Sequence, residues 1–249
     1  MIKDNSDICL HEPNYIDKKY THHYFLNKIK NIKNPIIVEL GVNQGGSTIS
    51  FLKHVNKHGG ELYSIDINDF SNIIKNENFK NISVDRWNFI NSNDLDIDNI
   101  LSQFPVLKEG IDLLLIDSYH DATHVTKILE KWYIYVKKFG YIYFDDTESY
   151  MYKKSKNFTL AVNNDSIDNL VKNFYYCNYD QLVFTKYFAG SGLSELFKTS
   201  KLGSEANFTS NIWNYNYFLG KIYLFLKKIS YIIKKKDIEK PNSSKRINF

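Results

Sequence analysis

Residues 36–47 read Ile-Ile-Val-Glu-Leu-Gly-Val-Asn-Gln-Gly-Gly-Ser. A short β-branched run (Ile36, Ile37, Val38) reaches an acid, Glu39, and then a glycine-rich turn. Beyond it, Thr48–Val55 carries Ile49, Leu52 and Val55 at helical spacing. A buried strand feeding a glycine turn and a helix is the first half of a nucleotide-binding βαβ unit. Glycine accepts positive φ and lets the backbone approach a ligand closely, and the helix start offers N–H groups without partners. The dinucleotide fingerprint needs glycine two residues after Gly41, where Asn43 stands, and the P-loop needs a lysine that this turn lacks. What remains is E-x-G-x-x-x-G, formed by Glu39, Gly41 and Gly45, with Gly46 next.

Reading outward, the chain alternates strands and helices. Tyr15–Ile32 predicts a leading helix carrying His22 and His23, which the reading leaves as surface or packed histidines, and Pro35 stops it. Gly59-Gly60 turns into a strand over Glu61–Ile67 that ends near Asp66, with Asp69 a nearby competitor for any role at that strand end. The third strand falls on either Ile82–Val84 or Trp87–Ile90. Ile97–Phe104 reads as a short helix ended by Pro105. Gly110–Asp117 is a continuous apolar run and therefore a strand buried on both faces. Ala122–Val136 is a helix closed by Phe139-Gly140, and Tyr141–Phe144 is the next strand. Ser166–Phe174 reads as a helix, and Tyr175–Tyr179 with Leu182–Phe188 as an edge hairpin.

These strands end in acids: Glu39, Asp66, Asp117 and the pair Asp145-Asp146. In a doubly wound sheet the carboxyl ends of parallel strands line one rim, where ligands bind. Asp66, at the end of the second strand, is placed to accept bonds from ribose hydroxyls. Asp117, Asp145 and Asp146 meet if their strands are neighbours. Gathered carboxylates repel, and a proton or a cation relieves this. Hard oxygens suit Mg²⁺, Mn²⁺ or Ca²⁺, and such an ion can lower the pKa of a bound hydroxyl. His120, three residues past a strand end, is a candidate general base. His124, one turn on, is read as structural or exposed.

Composition sets the bounds. The chain has 249 residues, enough for one α/β domain with additions, and 43% are hydrophobic. The net charge of +4 is small, and its basic excess lies near the C-terminus, so no nucleic-acid partner is expected. Two cysteines, Cys9 and Cys177, form neither a disulfide framework nor a zinc spacing. Met1–Glu12 lacks the apolar stretch of a signal peptide, so a cytoplasmic protein is expected.

The turn at Glu39–Gly46 resembles the first motif of class I S-adenosylmethionine-dependent methyltransferases. Leu115–His120, Glu130-Lys131-Trp132, Gly140 and Phe144–Thr147 resemble the bacterial methyltransferase family often called family 24, over about Pro35–Glu148. That group includes sugar O-methyltransferases of antibiotic and surface-polysaccharide pathways. The resemblance implies a Rossmann-like, doubly wound, mostly parallel α/β sheet with an antiparallel edge hairpin, plus N- and C-terminal helical additions. It implies S-adenosylmethionine as methyl donor, held by Glu39, Gly41, Gly45, Gly46, Ser47, Asp66, Asn91, Ser92 and Asp117, with Asn91 and Ser92 beside the adenine. In related metal-dependent members, acids at the positions of Asp117, Asp145 and Asp146 bind Mg²⁺. His120 and Asp117 are the expected catalytic residues, and a sugar hydroxyl is the expected acceptor. An anionic phosphate-type polysaccharide substituent, an NAD-dependent nucleotide-sugar oxidoreductase and a non-catalytic binding protein are the alternatives. Tyr119 departs from the family, where a small or acidic residue is common, and Phe139 replaces a glycine.

Beyond this unit, residues 1–34 are a helical lead-in, 35–200 the core unit, 201–236 an appendage and 237–249 a tail. Lys153, Lys154 and Lys156 follow the acid pair and are read as a solvated run or as contacts for an anionic acceptor. Within Trp213–Lys236, Ile222, Phe225, Leu226 and Ile229 recur at helical spacing among lysines. This predicts a homodimer helix, a helix packed on the core, or a basic amphipathic helix lying on an anionic membrane at its inner face.

Overall fold

A computed structural model of the chain describes residues 25–188, 190–208 and 217–234. Its centre is a seven-stranded sheet in the order β3-β2-β1-β4-β5-β7-β6. The strands are β1 (Ile36–Leu40), β2 (Glu61–Asp66), β3 (Trp87–Asn91), β4 (Ile111–Ile116), β5 (Val136–Asp145), β6 (Leu182–Tyr187) and β7 (Leu193–Lys198). The first five run parallel, and β7 pairs antiparallel with both β5 and β6. The helices are α1 (Gly46–His58), α2 (Ile97–Gln103), α3 (Ala122–Trp132), α4 (Tyr150–Lys154), α5 (Phe158–Cys177) and α6 (Tyr217–Lys234).

The pleat explains the two cores. Successive strand residues point to opposite faces, so Val38 and Leu40 join Leu114 and Ile116 on one side, packed under α2, α3 and α5. Ile37 joins Leu113 and Leu115 on the other, packed under α1 and helical residues 25–29. All six residues of β4 are buried, as a central parallel strand requires. Each of its five Ile and Leu side chains contributes roughly 1.5–3 kcal/mol of burial.

The order reverses at β1, which lies between β2 and β4. The gap between the ends of β1 and β4 is thus the switch point where open α/β sheets bind ligands.

Of the two places open for the third strand, the structure takes Trp87–Asn91. Two local expectations are corrected. Tyr175–Cys177 continues α5, so the edge hairpin is β6 with β7 rather than Tyr175–Tyr179 with Leu182–Phe188. Tyrosines carry strand preference, but here the amphipathic helix buries Leu170, Val171 and Phe174 and carries them along. Phe139-Gly140 does not stop a helix: α3 ends at Trp132, and Phe139 sits inside β5 at φ 69°.

The appended helix α6 rests on the core through ion pairs. Lys221 Nζ lies 3.8 Å from Asp121 and Lys227 Nζ 3.2 Å from Asp165. Ile222, Tyr223, Phe225 and Leu226 stay exposed. Among the described residues, no helix is long and apolar enough to cross a membrane. His22, His23, Trp213 and the tail lie outside the described residues.

Candidate functional site

The turn is built from behind by Glu39. Its carboxylate is fully buried and accepts hydrogen bonds from Ser47 Oγ, Thr48 Oγ1 (2.8 Å) and Ser64 Oγ (2.6 Å). Ser64 accepts in turn from Trp87 Nε1 at 3.0 Å. Burial pushes the Glu39 carboxyl up to about 7 against the pull of these hydroxyls. The side chains of Glu39 and Ser47, both expected ligand contacts, tie β1, α1 and β2 together and so position the turn. Helix α1 has no side-chain cap at Gly45, so that position takes up none of the first N–H groups of the helix, including those of Gly46 and Ser47.

The glycines answer to the protein as much as to a ligand. Gly41 (φ 95°) crosses the end of β4 so closely that a Cβ would fall on the carbonyl of Asp117. A Cβ at Gly45 (φ 76°) would meet Ile73 and Phe79, which lie on two short 3₁₀ turns covering the loop. Asn43 also takes positive φ, 47°, a conformation that asparagine tolerates.

At the neighbouring strand ends, the half-buried Asp66 accepts from Val42 N (2.9 Å) and Asn68 N (2.9 Å). It stands opposite Asn91 in register. Exposed Asn91 donates from Nδ2 to the carbonyls of Asp66 (3.2 Å) and Ile67 (3.0 Å), and Ser92 N bonds to Asp66 O at 2.9 Å. The structure thus brings Asp66, Asn91 and Ser92 to one edge of the crevice. Asp69 instead caps its own turn through Ser71 N.

Across the switch point, Asp117, His120 and Asp146 converge. His120 Nε2 lies 3.5 Å from Asp117 Oδ1 and 3.5 Å from Asp146 Oδ2. It is buried and has no hydrogen-bond partner. Burial holds the imidazole below its usual pKa of 6.5, while Asp146 pulls the other way. The ring thus stands between two carboxylates, with burial and Asp146 acting in opposite directions on its protonation.

Asp146 owes its direction to a left-handed backbone, φ 55°, a conformation that costs a non-glycine residue energy and concentrates at functional sites. Asp145 Oδ1 accepts the Asp146 N–H at 2.9 Å. Among the described residues, no three His, Cys, Asp or Glu side chains form a group able to hold a metal ion. The expected trio Asp117, Asp145 and Asp146 is therefore not assembled, because Asp145 turns back onto the chain. As the side chains of the described residues stand, they do not fit a divalent ion.

The sequence reading missed the supports. Asp94, buried after β3, accepts from Ser118 Oγ (2.6 Å) and lies 3.0 Å from His124 Nε2, while Trp132 Nε1 bonds to its carbonyl at 2.8 Å. It fixes the loop beside Asp117, and His124 is structural as expected. Lys186 Nζ donates to Thr147 O (2.7 Å) and to Asp168, and Thr147 N bonds to Gly192 O at 3.3 Å. The edge hairpin thereby clamps the residue after Asp146. No local pattern marks pairs so distant in sequence. Lys153 pairs with Asp165 at 3.0 Å, whereas Lys154 and Lys156 are exposed.

Residues 38–147 match the profile of a family described as a methyltransferase domain. An uncharacterized protein of Acanthamoeba polyphaga mimivirus is 32% identical over 142 residues, covering 52% of this chain and 62% of that protein. The chain thus spans under two thirds of the curated relative's length. A putative caffeoyl-CoA O-methyltransferase from Staphylococcus aureus superposes with a TM-score of 0.52 at 16% identity, covering 72% of this chain and 83% of that one. MycE methyltransferase of the mycinamycin biosynthetic pathway, in complex with Mg, SAH and mycinamycin VI, gives 0.50 at 17% identity, covering 77% and 51%. At such identities the structural likeness is one of fold.

Proposed function

We propose that the chain is an S-adenosylmethionine-dependent O-methyltransferase whose acceptor is a sugar hydroxyl, free or nucleotide-linked. The observation that carries it is His120 Nε2, buried without a hydrogen-bond partner and 3.5 Å from both Asp117 and Asp146 after the ends of β4 and β5. The methyltransferase-domain match over residues 38–147 supports the donor. MycE, on a similar fold, is a methyltransferase whose complex holds Mg, SAH and mycinamycin VI.

When bound, S-adenosylmethionine supplies a methyl group on a sulfonium, open to in-line attack. The residues here fit that donor: the uncapped N–H groups of Gly46 and Ser47 suit a carboxylate, and half-buried Asp66 suits a ribose diol. His120 takes the acceptor hydroxyl's proton at Nε2 as the oxygen–carbon bond forms. Asp117 and Asp146 then stabilise the imidazolium, each 3.5 Å away. Burial lowers the ring's pKa, which favours the neutral base beforehand.

The test uses labelled S-adenosylmethionine and a panel of nucleotide sugars and glycosides. His120→Gln is expected to bind the donor as wild type does but to transfer methyl roughly 10²–10⁴-fold more slowly. Full turnover in His120→Gln refutes the base, and transfer to none of the sugars refutes the acceptor. Thermal stabilisation by NAD⁺ rather than S-adenosylmethionine would move the chain to the oxidoreductases.

A further inference from the structure

An amphipathic helix of a globular protein lays its apolar stripe on the core and turns its charges to water. The appended helix α6 is mounted in the opposite sense. Two of its lysines reach the body, Lys221 Nζ at 3.8 Å from Asp121 and Lys227 Nζ at 3.2 Å from Asp165. Its large apolar side chains Ile222, Tyr223, Phe225 and Leu226 are between 39% and 61% exposed.

At about 100° per residue, Ile222, Phe225 and Leu226 share one face, with Tyr223 beside them. Lys221 and Lys228 fall along one edge of that face and Lys227 along the other, where its Nζ stands 5.6 Å from the centroid of the Tyr223 ring. Residues 217–236 carry six lysines and no Asp or Glu. The two carboxylates that hold the helix answer two of those lysines, and Asp165 also accepts Lys153 of α4 at 3.0 Å. The α4 segment that meets α6 at this carboxylate carries exposed Met151, Lys154 and Lys156.

Charge and shape together say what covers the face. An apolar stripe edged by lysines has the make-up of a helix lying in the interface of an anionic membrane. Aromatic rings such as Tyr223 settle at headgroup level there, and lysines are drawn to acidic headgroups. Among the described residues no helix is long and apolar enough to cross a membrane, so the contact is with the surface. A second copy suits the face less well, because pairing would bring two lysine-edged faces together. Among the described residues the stripe also offers only four large side chains, whereas a stable dimer interface engages about 20–30 residues a side.

We propose that α6 docks the chain on an anionic lipid surface. Ile222, Tyr223, Phe225 and Leu226 enter the headgroup region, and the lysines along the edges pair with acidic headgroups. Asp121 directly follows His120, so the docked helix is held close to the candidate site.

The experiment is co-sedimentation of the full chain with vesicles of phosphatidylcholine alone and of an equal mixture of phosphatidylcholine and phosphatidylglycerol. Expected is binding to the mixed vesicles that is about tenfold tighter than to phosphatidylcholine and falls as salt is raised. Phe225→Ser/Leu226→Ser removes exposed apolar groups and is expected to weaken that binding about tenfold or more. Lys235→Gln/Lys236→Gln is the second variant, should the first fail to fold, and is expected to weaken binding to the mixed vesicles in the same direction. Absence of binding to the mixed vesicles, equal binding to both compositions, or unchanged binding in the variants overturns the proposal. A dimer in analytical ultracentrifugation that Phe225→Ser/Leu226→Ser splits would assign the face to a second copy and overturn it too. None of these readings depends on methyl transfer.

Discussion

Replacing Glu39 by glutamine tests the reasoning about the turn most directly. The carboxyl is fully buried and its pKa is raised from 4.5 to about 7. A carboxyl raised in the folded state binds its proton more tightly there than in the unfolded chain. Between pH 4.5 and 7 the folded state therefore holds more protons, and stability falls as pH rises. A raise of this size corresponds to about 3 kcal/mol, fully present below pH 4.5 and lost by pH 7. In the wild type this slope is masked. His54 is lowered from 6.5 to about 4, chiefly by burial, so its contribution rises with pH over 4 to 6.5. His120 is lowered too and adds in the same direction as His54. Glu39→Gln removes only the carboxyl's part, because the glutamine amide can still accept from Ser47, Thr48 or Ser64. The assay is urea unfolding followed by tryptophan fluorescence, at half-unit steps from pH 4 to 8, for both proteins. The stability difference, wild type minus variant, should fall by about 3 kcal/mol across that window and be flat on either side. A difference that does not change with pH would refute a buried carboxyl that is protonated in acid.

Gly41→Ala forces a Cβ onto the Asp117 carbonyl at φ 95°, so it should cost about 1–3 kcal/mol by thermal unfolding and slow methyl transfer by shifting Asp117. Asp66→Ala removes the proposed ribose acceptor and the bond to Val42 N. It should weaken S-adenosylmethionine roughly 10–100-fold by calorimetry, as for hydrogen bonds to a charged group, and unchanged affinity would remove Asp66 from the site. Treatment with EDTA should leave the rate unchanged if His120 is the base, whereas loss restored by Mg²⁺ would assign the proton's removal to a cation at Asp117 and Asp146.

Much of this protein was legible in local pattern. The β-branched run before Glu39, the apolar run Ile111–Ile116 and the helix Ala122–Trp132 each follow from period and burial, which act over a few residues. Alternating strands and helices then require a parallel sheet, and a parallel sheet puts Asp66, Asp117 and Asp146 on one rim. Side-chain direction was not legible. Glu39 and Ser47 read as ligand contacts, but packing of α1 against β1 turned their side chains toward each other, leaving only backbone groups there for a ligand. Asp145 and Asp146 are adjacent and chemically identical. Only the left-handed backbone at Asp146 separates a carboxylate facing His120 from one bonded to the chain. The clamp of Lys186 on Thr147 and the bond of Asp94 to Ser118 span tens of residues, and closing such loops is decided by the whole fold. The sequence by itself determined which elements form and at which strand ends the acids stand, because those are properties of neighbours along the chain. Only the tertiary structure decided which acid meets which base, because that depends on burial and on partners brought together by the sheet.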